Sequence, residues 1–230
     1  MLKQSTLDFY RDLRENNNKL WFESERKRYE EARKDYLQLV ELLLSKTKKI
    51  DESLENLSVK DCIFRINRDV RFSNDKSPYK TYMGISFTPY GKKASLAGYY
   101  VHLDVFGDSF SGGGLYMPDS SALHRVRTEI HLFPDEFKAI VSAPDFKKCF
   151  GRLDTDPKIL LSRPPKGFAQ EDPAIEFLKY KSFTAVISLN KEIFTSPKLV
   201  DHIIESFYAV SPLVKFLNHS LLTDPNGETL

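Results

Sequence analysis

Cysteine, histidine and long apolar runs are all scarce in this sequence. Its 230 residues include two cysteines, Cys62 and Cys149, which lie far apart and form no CxxC pair. A disulfide framework and a zinc knuckle are therefore excluded, and a reducing cytoplasm is the expected location. No run approaches the roughly 18 apolar residues that a transmembrane helix requires, and the charged N-terminal segment lacks the apolar stretch of a signal peptide. We expect no membrane partner.

The sequence also lacks the common signatures of metal sites and of nucleotide-binding or nucleophilic loops. Its five histidines include no HExxH motif and no histidine grouped with two carboxylates, whereas a closed metal site needs three or four ligands. The stretch SGGGLYMP lacks the Lys and Ser/Thr of a Walker loop, and the segment around Ser109 lacks the closing glycine of GxSxG. We expect no metal site, and the sequence identifies no cofactor.

An excess of one charge sign is missing as well. Lysine and arginine total 34 against 32 acidic residues, a net charge of +2, which argues against nucleic acid as a partner. Hydrophobic residues make up 41% of the chain, which is typical of a globular protein. Because no Gly/Ser-rich or Pro-rich linker is present, we predict a single domain over residues 1–222 and a frayed tail over 223–230. The oligomeric state stays open.

Hydrophobic periodicity and turn residues predict helices at both ends of the chain, with hairpin-linked strands between them. The predicted helices are 5–15, 19–49, one that begins after Met117 with Asp119 or Ser120 as its cap, about 133–142, and 197–217. The predicted strands are 62–72, 83–89, 96–106, 109–116 and 183–189. This order predicts an α+β fold, in which a central antiparallel sheet packs with helices from both chain ends.

The segment FRINRDVRFSNDKSPYK, residues 64–80, interleaves five cations with aromatic and aliphatic residues. If its first part is a strand, alternation places Arg68 on the apolar side and Asp69 between Arg65 and Arg71 on the other. We therefore expect Arg68 to be buried and paired, because an unpaired buried charge is costly. We expect Asp69 to orient its two neighbours, whose planar guanidinium groups match a carboxylate or a phosphate.

Two interpretations of this basic segment stay open, an anion-binding surface or an internal ion-pair network that holds a loop to the sheet. The glycine run at 112–114 likewise indicates either backbone N–H groups that cradle an anion or a bulged strand in close contact with a neighbour. The candidate anion-binding residues are Arg65, Arg68, Asp69, Arg71, Lys76, Tyr79, Lys80, Gly113 and Gly114.

Five segments, NNNKLWF, FRINRDVRFSNDKSPYKT, GYYVHL, GGGLYMP and RPPKGF, together resemble the domain of unknown function 2461 family of bacterial and fungal proteins. The resemblance covers residues 4–217, and RDVRFSNDKSPYK is its most specific part. It implies a compact α+β domain and brings no reaction with it. It also implies a surface formed by the basic segment, with Gly113, Gly114 and Pro118 opposite.

Three functions fit these observations. The leading hypothesis is a module that binds a small phosphorylated or carboxylated ligand through the basic segment. The second is an enzyme that acts on a phosphorylated substrate at the same site, with Asp69 or Asp75 as acid or base. The third is a partner-binding module in which the Arg/Asp cluster is purely structural. Whether the protein is an enzyme is left open by the sequence.

Overall fold

The computed structural model describes residues 1–223, leaving aside the side chain of Pro157. Over these residues the chain is about 50% helix and 14% strand, which confirms the predicted α+β class. A frayed tail was predicted over residues 223–230. Residues 224–230 of this tail lie outside the described residues. The helices that the structure describes are α1 Gln4–Glu15, α2 Lys19–Ser24, α3 Arg26–Thr47, α4 Val59–Cys62, α5 Ser120–Leu132, α6 Pro134–Ser142, α7 Pro144–Phe150, α8 Ile175–Leu178 and α9 Lys198–Leu222.

One antiparallel sheet contains four strands in the order β1-β2-β3-β4. The strands are β1 Tyr82–Phe87, β2 Gly98–Asp104, β3 Phe110–Leu115 and β4 Phe183–Ser188. The first three form consecutive hairpins, as predicted. Along β2 the buried side chains of Val101 and Leu103 alternate with the half-buried side chains of Tyr100 and His102, so the sheet has one core face and one more open face.

The described chain packs into two compact units, and each unit is assembled from separate segments. Unit 1 contains Met1–Phe87, Tyr100–Ser111 and Ser188–Ile204, and unit 2 contains Thr88–Tyr99, Gly112–Ile187 and the chain from Glu205 onward. Neither unit is a continuous stretch of sequence. The single domain over residues 1–222 stays a prediction.

In unit 1 the helix predicted over 19–49 is two helices, because the backbone leaves the helical conformation at Glu25 (φ −98°, ψ 17°). The rings of Trp21 and Phe22, both in α2, contact Phe9 of α1, with ring centroids 5.9 and 6.4 Å away. The 3.6-residue periodicity did not show the break at Glu25.

The start of α1 is capped from another helix rather than by its own sequence. Asp35 of α3 is buried and accepts hydrogen bonds from the backbone N–H of Lys3 (2.7 Å) and from the hydroxyl of Thr6 (2.6 Å). A carboxylate at a helix N-terminus satisfies a free N–H group and interacts favourably with the helix dipole. Asp35 therefore fixes α1 to α3.

Unit 2 is built around aromatic side chains. The buried ring of Phe137 in α6 packs against Phe177, Phe216 and Phe183, with centroids 5.0, 5.4 and 6.0 Å away. Asp119 caps α5, accepting hydrogen bonds from the N–H groups of residues 121 and 122 at 2.9 Å. The cap and the starts of α5 and α6 therefore agree with the sequence prediction.

The glycine run in β3 allows neighbouring backbones to come close. A Cβ atom on Gly112 would lie 2.0 Å from the carbonyl oxygen of Ala185, and one on Gly113 would lie 2.6 Å from that of Gly98. Gly114 also has a φ of +126°, which side-chain-bearing residues rarely adopt. Side chains at these positions would collide with the main chain, so the run is required for the packing of β3.

Candidate functional site

The basic segment is not the strand that the alternation predicted over residues 62–72. Helix α4 ends at Cys62, and the chain then forms an irregular hairpin, residues 66–80, with an isolated antiparallel bridge between Asn67 and Tyr79. The backbone N–H of Arg68 donates to Pro78 (2.9 Å), and that of Lys80 donates to Ile66 (2.8 Å). The side chain of Phe72, expected on an apolar face, is 96% exposed. The prediction of a strand over 62–72 was wrong, because this segment pairs only through isolated bridges, Ile63 with Ile85 and Asn67 with Tyr79, and forms no continuous ladder.

Asn17 and Phe22 hold one arm of the hairpin. The side-chain amide of Asn17 donates to the carbonyl of Tyr79 (2.9 Å), and its oxygen accepts the N–H of Tyr79 (3.1 Å). The ring of Tyr79 is buried and stacks on Phe22 with centroids 4.0 Å apart. Tyr79 therefore packs against the protein itself, and its ring is not free to stack on a ligand.

Arg68 is paired, but its partner lies in the same hairpin and its side chain is 26% exposed rather than buried. Its guanidinium donates to the carboxylate of Asp75 and to the carbonyl of Ser77 (3.0 Å). Ser77 in turn donates its N–H to Asp75 at 2.9 Å. Hydrogen bonds from the Ser77 side chain and backbone, together with Arg68, lower the pKa of Asp75 to about 2. At neutral pH Arg68 and Asp75 therefore form an ion pair, and the hydrogen bonds of both residues to Ser77 fix its geometry.

Arg71 and Asp69 form a second ion pair near the tip of the hairpin. The guanidinium donates to both carboxylate oxygens, at 2.9 and 2.6 Å, and the Arg71 side chain is 76% exposed. This contact lowers the pKa of Asp69 and raises that of Arg71. The charge of Arg65 also lowers the pKa of Asp69, but as a weaker cause. Asp69 therefore orients Arg71 as predicted, whereas the predicted orientation of Arg65 is not seen, since Arg65 affects Asp69 only through its charge.

Both lysines of the segment bind backbone carbonyl oxygens. Lys76 donates to Val70 at 3.0 Å, whereas Lys80 donates to Arg65 at 2.5 Å and to Asn67 at 3.2 Å. Burial, and secondarily the charge of Arg65, lowers the pKa of Lys80. An ammonium group has three donors, so Lys80 keeps one that these two contacts do not use.

A cavity of about 270 Å³ in unit 1, called the basic cavity below, lies beside the hairpin. It is lined by Arg14, Asn17, Arg68, Asp75, Ser77, Tyr79, Lys80, Thr81 and Tyr82. Three cations and one carboxylate give this lining a formal charge of +2. Because the carboxylate is already bound to Arg68 and Ser77, the lining is complementary to an anion.

A smaller cavity of about 40 Å³ lies behind Lys80 and Tyr82, which line both spaces. Arg33 and Arg65 both line this smaller cavity. Tyr36 lines it as well, and its hydroxyl donates to the carbonyl oxygen of Gly84 at 2.6 Å. The small volume suits one or two water molecules rather than a ligand. The basic cavity is therefore the better candidate for a binding site.

The structure gathers part of the predicted site. Arg68, Tyr79 and Lys80 line the basic cavity, and Arg65 lines the smaller one. The linings of these two cavities do not include the Asp69–Arg71 pair or Lys76. Gly113 and Gly114 belong to unit 2, and an anion-binding role for their N–H groups stays a prediction.

Five residues of the cavity lining were not expected from the sequence, namely Arg14, Asn17, Ser77, Thr81 and Tyr82. Arg14 belongs to α1, and its guanidinium lies 4.2 Å from the centroid of the Phe106 ring. The run NNN at 16–18 predicts a helix break but does not indicate a contact with the hairpin. Its three members have separate roles, because Asn16 and Asn18 cap helices whereas Asn17 binds the hairpin.

Comparison with known families places this geometry in context. The chain matches the family described as Conserved hypothetical protein (DUF2461) over residues 5–216. It belongs to the DUF2461 family. The resemblance inferred from the five sequence segments is thereby confirmed, and the DUF2461 description assigns no reaction to the basic cavity. The chain has no significant match among curated proteins or solved structures.

Within residues 1–223, none of the helices combines the length and the apolar character needed to cross a bilayer. In the same described part of the chain, no three His, Cys, Asp or Glu side chains come together as possible ligands of one metal ion.

Proposed function

We propose that this protein binds a small anionic ligand, phosphorylated or carboxylated, in the basic cavity. The observation that carries the proposal is the lining itself, in which Arg14, Arg68 and Lys80 surround the same space of about 270 Å³. Pockets for drug-sized ligands are typically about 300–1,000 Å³, so this volume suits a small metabolite.

The cations of the lining are held in place before a ligand arrives. Arg68 is fixed by Asp75 and Ser77, and Lys80 is fixed by two backbone carbonyl groups. Arg14 lies over the ring of Phe106, which leaves the edge of the guanidinium available for hydrogen bonds. Donors that are already oriented lose little conformational entropy on binding.

Binding is favoured over acid–base catalysis by the state of the carboxylate in the lining. The pKa of Asp75 is lowered to about 2, so this group is ionised at neutral pH and is a poor proton donor or acceptor there. In this proposal the protein acts in the cytoplasm, and its two free cysteines support that location.

The same hydrogen bonds also fit a purely structural role, in which the cations only hold the hairpin together. Arg68, Arg71, Lys76 and Lys80 all donate to groups within residues 65–77. A substitution of Arg14 can distinguish the binding role from the structural role, because Arg14 lies outside this hairpin and its side chain is exposed.

The decisive experiment compares thermal unfolding in phosphate, sulfate and sugar phosphates with unfolding in chloride at equal ionic strength. A ligand at a hundredfold excess over its dissociation constant stabilises the folded state by about 2.7 kcal/mol. We expect the wild-type melting temperature to rise, and Arg14→Gln to abolish the rise with little effect on the ligand-free protein.

Arg71→Gln is the matched control, because it removes the same charge from a residue that does not line the cavity. It should keep the full anion-dependent rise. If no anion stabilises the wild type, the cations have the structural role. Equal losses in the two variants would instead indicate a diffuse effect of surface charge.

A further inference from the structure

Next to the basic cavity, the more open face of the sheet carries a row of aromatic side chains in unit 1. The ring centroid of Tyr82 in β1 lies 4.4 Å from that of His102 in β2, and His102 lies 5.2 Å from Phe110 in β3 at an interplanar angle of 10°. All three side chains are only partly buried. The row therefore offers ring faces and edges that a ligand can contact.

Tyr82 connects the row to the cavity. It is the β1 member of the row, in contact with His102, and it also lines the basic cavity together with Arg14, Arg68 and Lys80. A planar ring placed against Tyr82 within the cavity would continue the stack. Aromatic rings favour offset-stacked and edge-to-face contacts of this kind.

His102 is suited to such a stack. Burial lowers its pKa from the ordinary value of 6.5, and the opposing effect of Asp104 is smaller. The imidazole is therefore neutral at pH 7, so the row itself adds no repulsion to the cations of the cavity.

We propose that the ligand of the basic cavity is a phosphate ester of a planar aromatic ring, such as a nucleoside monophosphate. Its phosphate binds Arg14, Arg68 and Lys80, and its ring stacks on Tyr82. This inference rests on the proposed function and narrows it to one class of ligand, because a sugar phosphate or a simple carboxylate would leave the aromatic row uncovered.

Calorimetric titration with matched pairs of ligands tests the class. AMP is compared with ribose 5-phosphate, and phenyl phosphate with ethyl phosphate, so that each pair differs mainly in the ring. Stacking of one base on a protein ring strengthens binding by about 5-fold to 150-fold. We expect the ring-bearing member of at least one pair to bind about tenfold more tightly, and its aromatic protons to shift upfield in NMR spectra.

Tyr82→Leu keeps an apolar side chain but removes the ring. It should abolish the preference for the ring-bearing ligand over its partner, so that the two members of a pair bind the variant with equal affinity. Phe72→Leu removes an exposed ring outside the row and should change neither affinity.

The outcomes distinguish this inference from the proposed function. If both members of both pairs bind equally well, the ring has no subsite and the inference is overturned, whereas anion binding stands. If none of the four ligands and no inorganic phosphate binds, the proposed function fails together with the inference. A tenfold preference that persists in Tyr82→Leu would also overturn the assignment of the ring to this row.

Discussion

The side-chain amide of Asn17 forms two hydrogen bonds, of 2.9 and 3.1 Å, with the backbone of Tyr79, 62 residues further along the chain. An amide side chain in this position replaces a neighbouring strand, because it offers one donor and one acceptor to a single peptide group. Unit 2 contains the same arrangement, in which Asn218 pairs with the backbone of Ala97 at 2.8 and 3.0 Å.

Asn17→Ala should lower the free energy of unfolding by about 1–3 kcal/mol, because it leaves partly buried N–H and C=O groups of Tyr79 without partners. Urea-induced unfolding measures the loss. Asn16→Ala is the control, since the Asn16 side chain makes an exposed hydrogen bond within its own helix end and should cost roughly half a kcal/mol. Equal effects of the two substitutions would contradict the special role of Asn17.

Acid should loosen the hairpin over a defined range of pH. The pKa of Asp75 in the folded protein is about 2, below its ordinary value of 3.8. The ionised carboxylate therefore contributes stability that is fully present above about pH 4 and is lost as the pH falls through about 2. NMR titration of the Ser77 amide resonance should follow this protonation.

Asp75→Asn supplies the control for the acid titration. The variant has no carboxylate to protonate, so the Ser77 resonance should lose its dependence on pH in this range. A wild-type midpoint close to 3.8 would show that Asp75 is not held by Ser77 and Arg68 as described.

Phe72 and Tyr79 should respond in opposite ways to truncation. Phe72 is 96% exposed, so Phe72→Ala should change the free energy of unfolding by no more than about 0.5 kcal/mol. Tyr79 is buried and stacked on Phe22, so Tyr79→Ala should cost about 3–5 kcal/mol. If residues 62–72 were a strand with Phe72 on its apolar face, Phe72→Ala would instead be strongly destabilising.

Gly112→Ala should destabilise the protein by roughly 3 kcal/mol or more, because overpacking here involves backbone that cannot move aside. The added Cβ would lie 2.0 Å from the carbonyl oxygen of Ala185. Thermal unfolding monitored by circular dichroism measures the effect. At Gly107 the nearest atom, at 3.1 Å, belongs to the flexible side chain of Asp104, so Gly107→Ala should be mild. A stable Gly112→Ala protein would refute the close approach.

Local signals in the sequence were sufficient for most of the fold. The 3.6-residue periodicity, the cap at Asp119 and the turn residues predicted α1, α5, α6, α9 and the four strands, because each depends on residues close together in the chain. They did not predict α4, α7, α8 or the break between α2 and α3. The error at 62–72 has the opposite cause. Alternating Phe64, Ile66, Val70 and Phe72 gave a local strand pattern, but the hairpin is held by Asn17, which lies 62 residues from Tyr79 in the chain.

In the candidate site, too, contacts between nearby residues could be predicted from the sequence, whereas contacts between distant residues could not. Clustering within 64–80 predicted that Asp69 orients Arg71, and Arg71 does bind Asp69. The pairing of Arg68 with Asp75 was not predicted. The cavity itself also requires Arg14 from α1 and Tyr82 from β1. Their convergence follows from tertiary packing, which no spacing within the basic segment encodes.

The strand order β1-β2-β3-β4 follows the order of the chain, and this has a consequence for the time course of folding. The first three strands are joined by the short connections 88–97 and 105–109, whereas residues 116–182 separate β3 from β4. Closing a long loop costs more entropy and is slower than forming a hairpin. We therefore expect the three-stranded meander to assemble early and β4 to join it last, so that the main barrier to folding lies in the docking of this final strand.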